Sequence, residues 1–432
     1  MLKTAVYTFS LLILFIVGGC ATPIANEPDI SEEQISSFQL KAVKEFDRLE
    51  ALSDPENRVS REFDISEGLK PRVHFWFNVY TKYGSSDHVI HHSRYPWIVF
   101  KVINTEEIEK SSLHKWTKYH RIRKLVAQER KSIRKTLQKL SRRRSYKKLS
   151  PLEKQLFDRL KWVRGKRQNV FKFASQHVRS QLGQRDFYVQ GLEHSHQFLP
   201  FMEEEFQAQN LPKELTRIPF VESSFNVRAE SSVGASGIWQ IMPRIGSSYG
   251  IVGRYIDERN SPYKATSIAS KLLRFNYRSL KSWPLAVTAY NNGIGGTRKA
   301  VRKTQTSDLA KIIRKHYKGS FKFASANFYS SFLAALYAYE YRREIFNVNG
   351  NRKPPATPLE KISLDQRFRP LTLLKITKLT KEEFLNYNLD LKRAMAKNVL
   401  LPKKLKIFLP KDAAENLKTH IALADRKVPK KS

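Results

Sequence analysis

Apolar residues recur at helical spacing along most of this chain and alternate only in short stretches, which predicts a mainly α protein. Ile35, Phe38, Val43, Phe46 and Leu49 form one stripe within Ser31–Leu52, and Phe75, Val79 and Tyr83 form the next, closed by a turn at Gly84–Asp87. Trp97–Ile103 is strand-like. Thr105–Leu140 then reads as one long basic helix with Ile122, Val126, Ile133, Leu137 and Leu140 on its apolar face. Ser150-Pro151-Leu152-Glu153 restarts the helical pattern with a capping box. Gly165 marks a break, after which Val170, Phe173, Ala174, Val178 and Leu182 read as a further helix ended by Gly183 at a left-handed cap. Past Asn347–Pro355, a linker by composition, strand-like Leu359–Leu364, two short helices within Thr372–Leu389 and a strand at Lys406–Pro410 outline a small α+β module.

The N-terminus changes the picture. Lys3 precedes an apolar run, Ala5–Val17, too short to span a bilayer and followed by small residues, as in a secretory leader. Val17-Gly18-Gly19-Cys20 resembles the bacterial lipobox, and the chain has no other cysteine, so Cys20 is expected to carry lipid rather than a disulfide. Two or more acyl chains anchor firmly where one does not. Ala21 favours the periplasmic face of the outer membrane. The expected divisions are residues 1–19 as leader, 20–30 as tether, 31–185 as a basic, mostly helical arm, 186–346 as the chemical domain, 347–356 as linker, 357–412 as the small module and 413–432 as a basic tail.

A formal charge of +38 points to polyanions. Behind a lipobox those are lipid headgroups, lipopolysaccharide phosphates or the cell-wall polymer, not nucleic acid. The basic arm is either an electrostatic glove for such a surface or a brace for the domain C-terminal to it. His88, His91 and His92 lie beside Asp87 with no second cluster to complete a metal site, so they are expected as surface histidines, and neither metal nor cofactor is expected.

Chemistry concentrates between residues 211 and 330. Leu211–Phe225 reads as an apolar helix that delivers Glu222 among Ile218, Phe220, Val221 and Phe225. Desolvation there raises a carboxyl pKa and suits a proton donor. Ser231–Pro243 pairs Gly234 and Gly237 with Trp239, Gln240 and Met242, the aromatic and amide parts a sugar site uses. Trp283–Gly293 is an apolar helix ending in Tyr290-Asn291 at a glycine turn; its Gly-Ile-Gly-Gly run follows no strand, which weakens a phosphate-loop reading.

In these blocks, together with Asp257-Glu258-Arg259 and Tyr329 in an apolar helix, the chain resembles the lytic murein transglycosylases of goose-type lysozyme-like fold, specifically their membrane-bound D group. The likeness runs from about Arg179 to Tyr337. It implies a helical lysozyme-like domain that cleaves the MurNAc-GlcNAc β-1,4 bond of peptidoglycan without water and leaves 1,6-anhydro-MurNAc ends. Glu222 would be the catalytic acid/base, Ser231, Gln240, Met242, Tyr290 and Asn291 would hold the sugar, and Tyr329 would orient Glu222. Trp239 and Met242 either line the cleft or wedge it. Glu230 is expected to face solvent and Asp257-Glu258-Arg259 to tie loops by ion pairs; a water held by one of these acids would instead make the chain a muramidase. A non-catalytic wall-binding lipoprotein is the other alternative. The order of elements in 357–412 is similar to a LysM repeat, without its usual glycine-aspartate-threonine opening.

Overall fold

The computed structural model describes residues 48–317, 321–347 and 357–426. The leader, Cys20, the tether and the 35–46 stripe lie outside the described residues, as do most of the linker and the last six positions. Among the described residues no helix is long and apolar enough to cross a membrane.

Helix α1 (Lys70–Thr81) has Pro71 in its first turn, where the missing N–H has no partner to lose, and buries Val73, Trp76, Phe77 and Tyr80. Strands β1 (Asp87–His92) and β2 (Val99–Asn104) pair antiparallel across the next turn. The expected long helix is two: α2 (Glu106–Lys110) stops where Ser111 turns extended, and α3 (Lys115–Arg142) restarts behind His114, whose ring caps it. Helix α4 (Pro151–Leu160) opens with the expected capping box, and Gly165 at φ +125° separates it from α5 (Arg167–Gln176).

Beyond α5 the structure departs from the helical expectation. Val178–Leu182 is strand β3, antiparallel to β1, giving a three-stranded sheet in the order β2-β1-β3. Five residues cannot distinguish the two periods on their apolar positions alone; the central β1 supplies a hydrogen-bonding edge that decides for strand. Gly183 is no left-handed cap. A Cβ there would sit 2.1 Å from the Gly84 carbonyl oxygen, so close backbone approach requires the glycine. One face of the sheet and helices α3, α4 and α5 enclose Ile90, Phe100, Ile133, Leu137, Leu156 and Phe171. His91 and His92 are buried, 0% and 1% exposed, not the surface histidines expected. They fill core space against Phe75 and Phe173, and among the described residues no cluster is arranged to hold a metal.

The chain continues through α6 (Arg185–Ser195), α7 (Leu199–Gln207), the short α8 (Ile218–Glu222), α9 (Pro243–Ser248), α10 (Pro262–Leu280), α11 (Trp283–Asn292), α12 (Ile294–Thr304), α13 (Leu309–Lys315), α14 (Phe323–Glu340) and α15 (Arg342–Phe346). The small module comes next as β4 (Leu359–Ser363), α16 (Pro370–Thr377), α17 (Lys381–Tyr387), α18 (Lys392–Lys397), β5 (Lys406–Pro410) and α19 (Lys411–Arg426), with β4 and β5 antiparallel. The segment read as a basic tail from residue 413 is therefore helical through Arg426, and it buries Ala413, Ala414 and Leu417.

Contacts divide the described residues into two compact units, one from those up to 190 together with those between 276 and 347, and one from those between 191 and 275 together with those from 357 on. This grouping cuts through the 186–346 segment expected as one domain. In the first unit α14 is buried on nearly every side; Phe332 meets Phe63 edge-on at 5.5 Å, and Asn327 Oδ1 accepts hydrogen bonds from Arg72 Nη1 and Trp76 Nε1. In the second unit the C-terminal module does not stand alone. Phe408 stacks on Tyr263 at 4.6 Å, Tyr255 and Ile256 pack on the module's core, and Lys264 Nζ donates to the buried Asp390 carboxylate at 2.6 Å. An apolar module this small gains stability by covering one face with the adjoining segment.

Candidate active site

Glu222 is the last residue of α8, a helix of one turn and a half whose every residue is buried. The apolar neighbours Ile218, Phe220, Val221 and Phe225 belong to the core, so the glutamate has no route to solvent along its own segment. Glu222 is 5% exposed, and burial alone pushes its carboxyl well above the ordinary 4.5. Burial there favours the protonated form.

The backbone just past the glutamate is unusual. Ser224 and Phe225 both take left-handed φ, +49° and +57°, a conformation expensive for side chains larger than glycine and concentrated at functional sites. It folds the chain back so that the amides of Ser223 and Phe225 both reach the Pro219 carbonyl. Ser223 Oγ then donates to the Ile238 carbonyl at 2.9 Å, which fastens the glutamate to the 234–243 loop.

That loop is pinned from within. Ser231 Oγ accepts from the Ala235 amide at 2.8 Å, leaving its hydroxyl hydrogen free to be donated. Gln240, itself at φ +46°, spends Nε2 on the carbonyls of Ala229 and Gly237 and keeps Oε1 as its remaining polar atom. Gly237 lies at φ +73°, and a Cβ on it would stand 2.0 Å from the Arg259 carbonyl oxygen. Arg259 is the pin: Nη1 donates to the carbonyls of Gly234 and Ile241, while Nε and Nη2 form a two-pronged pair with Asp257 at 2.9 and 2.7 Å. Glu258 pairs with Lys264 at 3.1 Å and Glu230 faces solvent, as expected. Trp239 is a wedge: it is fully buried, stacked on Phe206 and bonded through Nε1 to Thr266 Oγ1. Met242 is half-buried ahead of α9.

Glu222, Ser231, Gln240 and Met242 belong to the second unit; Tyr290, Asn291 and Tyr329 belong to the first. There α11 ends at Asn292 with Gly293 at φ +78°, as the Tyr-Asn-Gly pattern predicts. Asn291 Oδ1 accepts from Ser325 Oγ at 3.0 Å and the Tyr290 ring lies parallel to Phe328, which fixes both against α14, the helix that carries Tyr329. Tyr329 is buried, and burial first, then Tyr337, Asp64 and Glu62, holds its phenol protonated.

Residues 200–313 match the Transglycosylase SLT domain. The SLT segment contains Glu222, the 234–243 loop and the Tyr290-Asn291 pair, with Tyr329 beyond its end. The chain is 40% identical over 96 residues to the membrane-bound lytic murein transglycosylase D of Escherichia coli K12, and equally to that of Escherichia coli O6:H1. Each match covers 22% of this chain and 21% of the relative, so the chain spans about a fifth of the relatives' length.

The resemblance singled out Glu222, Gln240, Tyr290 and Asn291 as candidates. It did not disclose Ser223 as the tie to Ile238 or the left-handed pair at 224–225. Neither residue is glycine, so no sequence signal marks the turn.

Proposed function

We propose that the chain is a peptidoglycan lytic transglycosylase in which Glu222 is the sole acid/base. The observation that carries this reading is the buried Glu222, its carboxyl pushed up by desolvation, while the other acids of the motif blocks are committed elsewhere: Asp257 to Arg259, Glu258 to Lys264 and Glu230 to solvent. Glu222 donates its proton to the glycosidic oxygen between MurNAc and GlcNAc as the C1–O bond breaks. The substrate's own acetamido oxygen supports the positive anomeric carbon, a role that in most glycosidases falls to a second carboxylate. The C6 hydroxyl of MurNAc then attacks C1, its proton passes to the Glu222 carboxylate, and a 1,6-anhydro ring closes. The acid is regenerated and no water is consumed.

In this reading Ser231 offers its hydroxyl hydrogen and Gln240 its Oε1 to the sugar, Met242 lines its apolar face, Tyr290 and Asn291 contact the muramyl acetamido group, and Tyr329 orients the acid. The protein is held by lipid on Cys20 at the periplasmic face of the outer membrane. Its partner is the glycan strand. The test is digestion of purified cell wall with product masses read by spectrometry: wild type releases anhydro-muropeptides and Glu222→Gln releases none. Reducing-end products would replace the reading by a muramidase, and absence of any product from wild type by a wall-binding protein.

A further inference from the structure

Three arginines from separate parts of the first unit are drawn together around Tyr317, and among the described residues no carboxylate faces any of them. Arg72, in the first turn of α1, is 4% exposed; its Nη1 donates to Asn327 Oδ1 and its Nη2 to the Arg94 carbonyl, with the guanidinium over the Trp97 ring at 5.4 Å. Arg94, in the β1–β2 turn, lies 4.2 Å over the Tyr317 ring and donates Nη2 to the Arg314 carbonyl, while its Nη1 is buried without a partner. Arg179, in β3, lies 4.1 Å over Phe323 and its Nε is buried without a partner. The Tyr317 phenol feels the positive charge of all three, and Arg179 feels Arg130 of α3 as a fourth. Burial brings Arg72 and Arg179 down to about 10. The fully buried His91 ring stands within the field of Arg179 and Arg72 with Nε2 unpartnered; its Nδ1 donates to the His92 carbonyl, so the neutral ring adds no charge.

Buried cations are ordinarily paired, because desolvating an isolated charge costs several kcal/mol. Here like charges meet, and aromatic faces recover only about 0.5–2 kcal/mol each. Three guanidinium groups gathered near one phenol, with Arg94 Nη1 and Arg179 Nε unspent, supply donors of the kind that take an oxyanion carrying more than one charge. We propose that Arg72, Arg94 and Arg179 form an oxyanion site in the first unit that takes a phosphate group, free or at the end of a larger molecule. This site involves none of the residues assigned to the sugar chemistry and stands independently of that reading.

The test compares thermal unfolding of the full chain in inorganic phosphate, acetate and chloride at matched ionic strength. Phosphate at about 50 mM should raise Tm by at least about 3 °C over chloride, and the rise should vanish in Arg94→Gln and in Arg179→Gln. Each variant in chloride should be no less stable than wild type, since it loses a repelled cation. A second arm measures co-sedimentation with phosphatidylcholine vesicles with and without phosphatidic acid. Arginine-dependent capture by phosphatidic acid with no effect of free phosphate identifies a headgroup as the source; the converse identifies a free or soluble phosphate. Equal shifts in acetate, the same phosphate shift in both variants, or no arginine-dependent effect in either arm would overturn the proposal.

Discussion

Burial favours the neutral form of Glu222, at a thermodynamic cost that can be measured. A carboxyl whose folded pKa is raised above 4.5 does not oppose folding at low pH, where both states are protonated; above 4.5 the unfolded chain ionises and the folded one does not, so stability falls as pH rises. Glu222→Gln removes that loss, and its Tm should exceed wild type's at pH 7.5 by at least about 2–4 °C, with the gain gone near pH 4. Equal Tm values at both pH values would contradict burial of the acid. His92 has the opposite sign. Its Nδ1 accepts the amides of Arg94 and Tyr95, and burial, with His177 and Arg94 nearby, lowers its pKa from 6.5 to about 3. That stability is complete above pH 6.5 and drains away as pH falls towards 3, about 2 kcal/mol by pH 5. His92→Asn, which keeps an acceptor for the two amides, should flatten the decline of Tm between pH 7 and 5 even though it loses ring packing. A slope as steep as wild type's would place the acid sensitivity elsewhere.

At the scale of elements, the loop fastened to Glu222 is built from exclusions: Gly237 has no room for a methyl group and Arg259 holds both ends. Gly237→Ala should destabilise by about 2–4 kcal/mol in denaturant titration, since it combines a left-handed φ with a backbone clash. A loss below about 0.5 kcal/mol would mean that the loop relaxes freely. Lys264→Ala should cost about 3–5 kcal/mol by leaving Asp390 buried without its cation, and Lys264→Met with Asp390→Leu should recover most of it. Helices with strong local signals were legible in the sequence, α4 from its capping box and α11 from its apolar run and glycine end. Strand β3 was not, because five residues with apolar ends fit either period and the deciding partner, β1, lies about ninety residues away in sequence. The burial of His91 and His92 was hidden for the same reason: a central strand is covered on both faces only once its neighbours have paired.

For the molecule as a whole, the candidate site residues lie in short sequence blocks, yet the blocks fall into two units that sequence order does not announce. The module at 357–412 read as an appendage behind a linker because its packing on Tyr255, Ile256 and Tyr263 is a long-range contact with no local pattern. The basic charge was visible from composition alone; the gathering of a buried and two half-buried arginines was not, since Arg72, Arg94 and Arg179 come together only after α1, the β1–β2 turn and β3 assemble. The central claim is that one neutral carboxyl performs both proton transfers. It is tested most directly by incubating purified peptidoglycan with the full chain and its Glu222→Gln variant and determining the masses of the released fragments. The account predicts muropeptides ending in 1,6-anhydro-MurNAc from wild type and none from the variant; products with reducing MurNAc ends, or release by the variant at the wild-type rate, would contradict it.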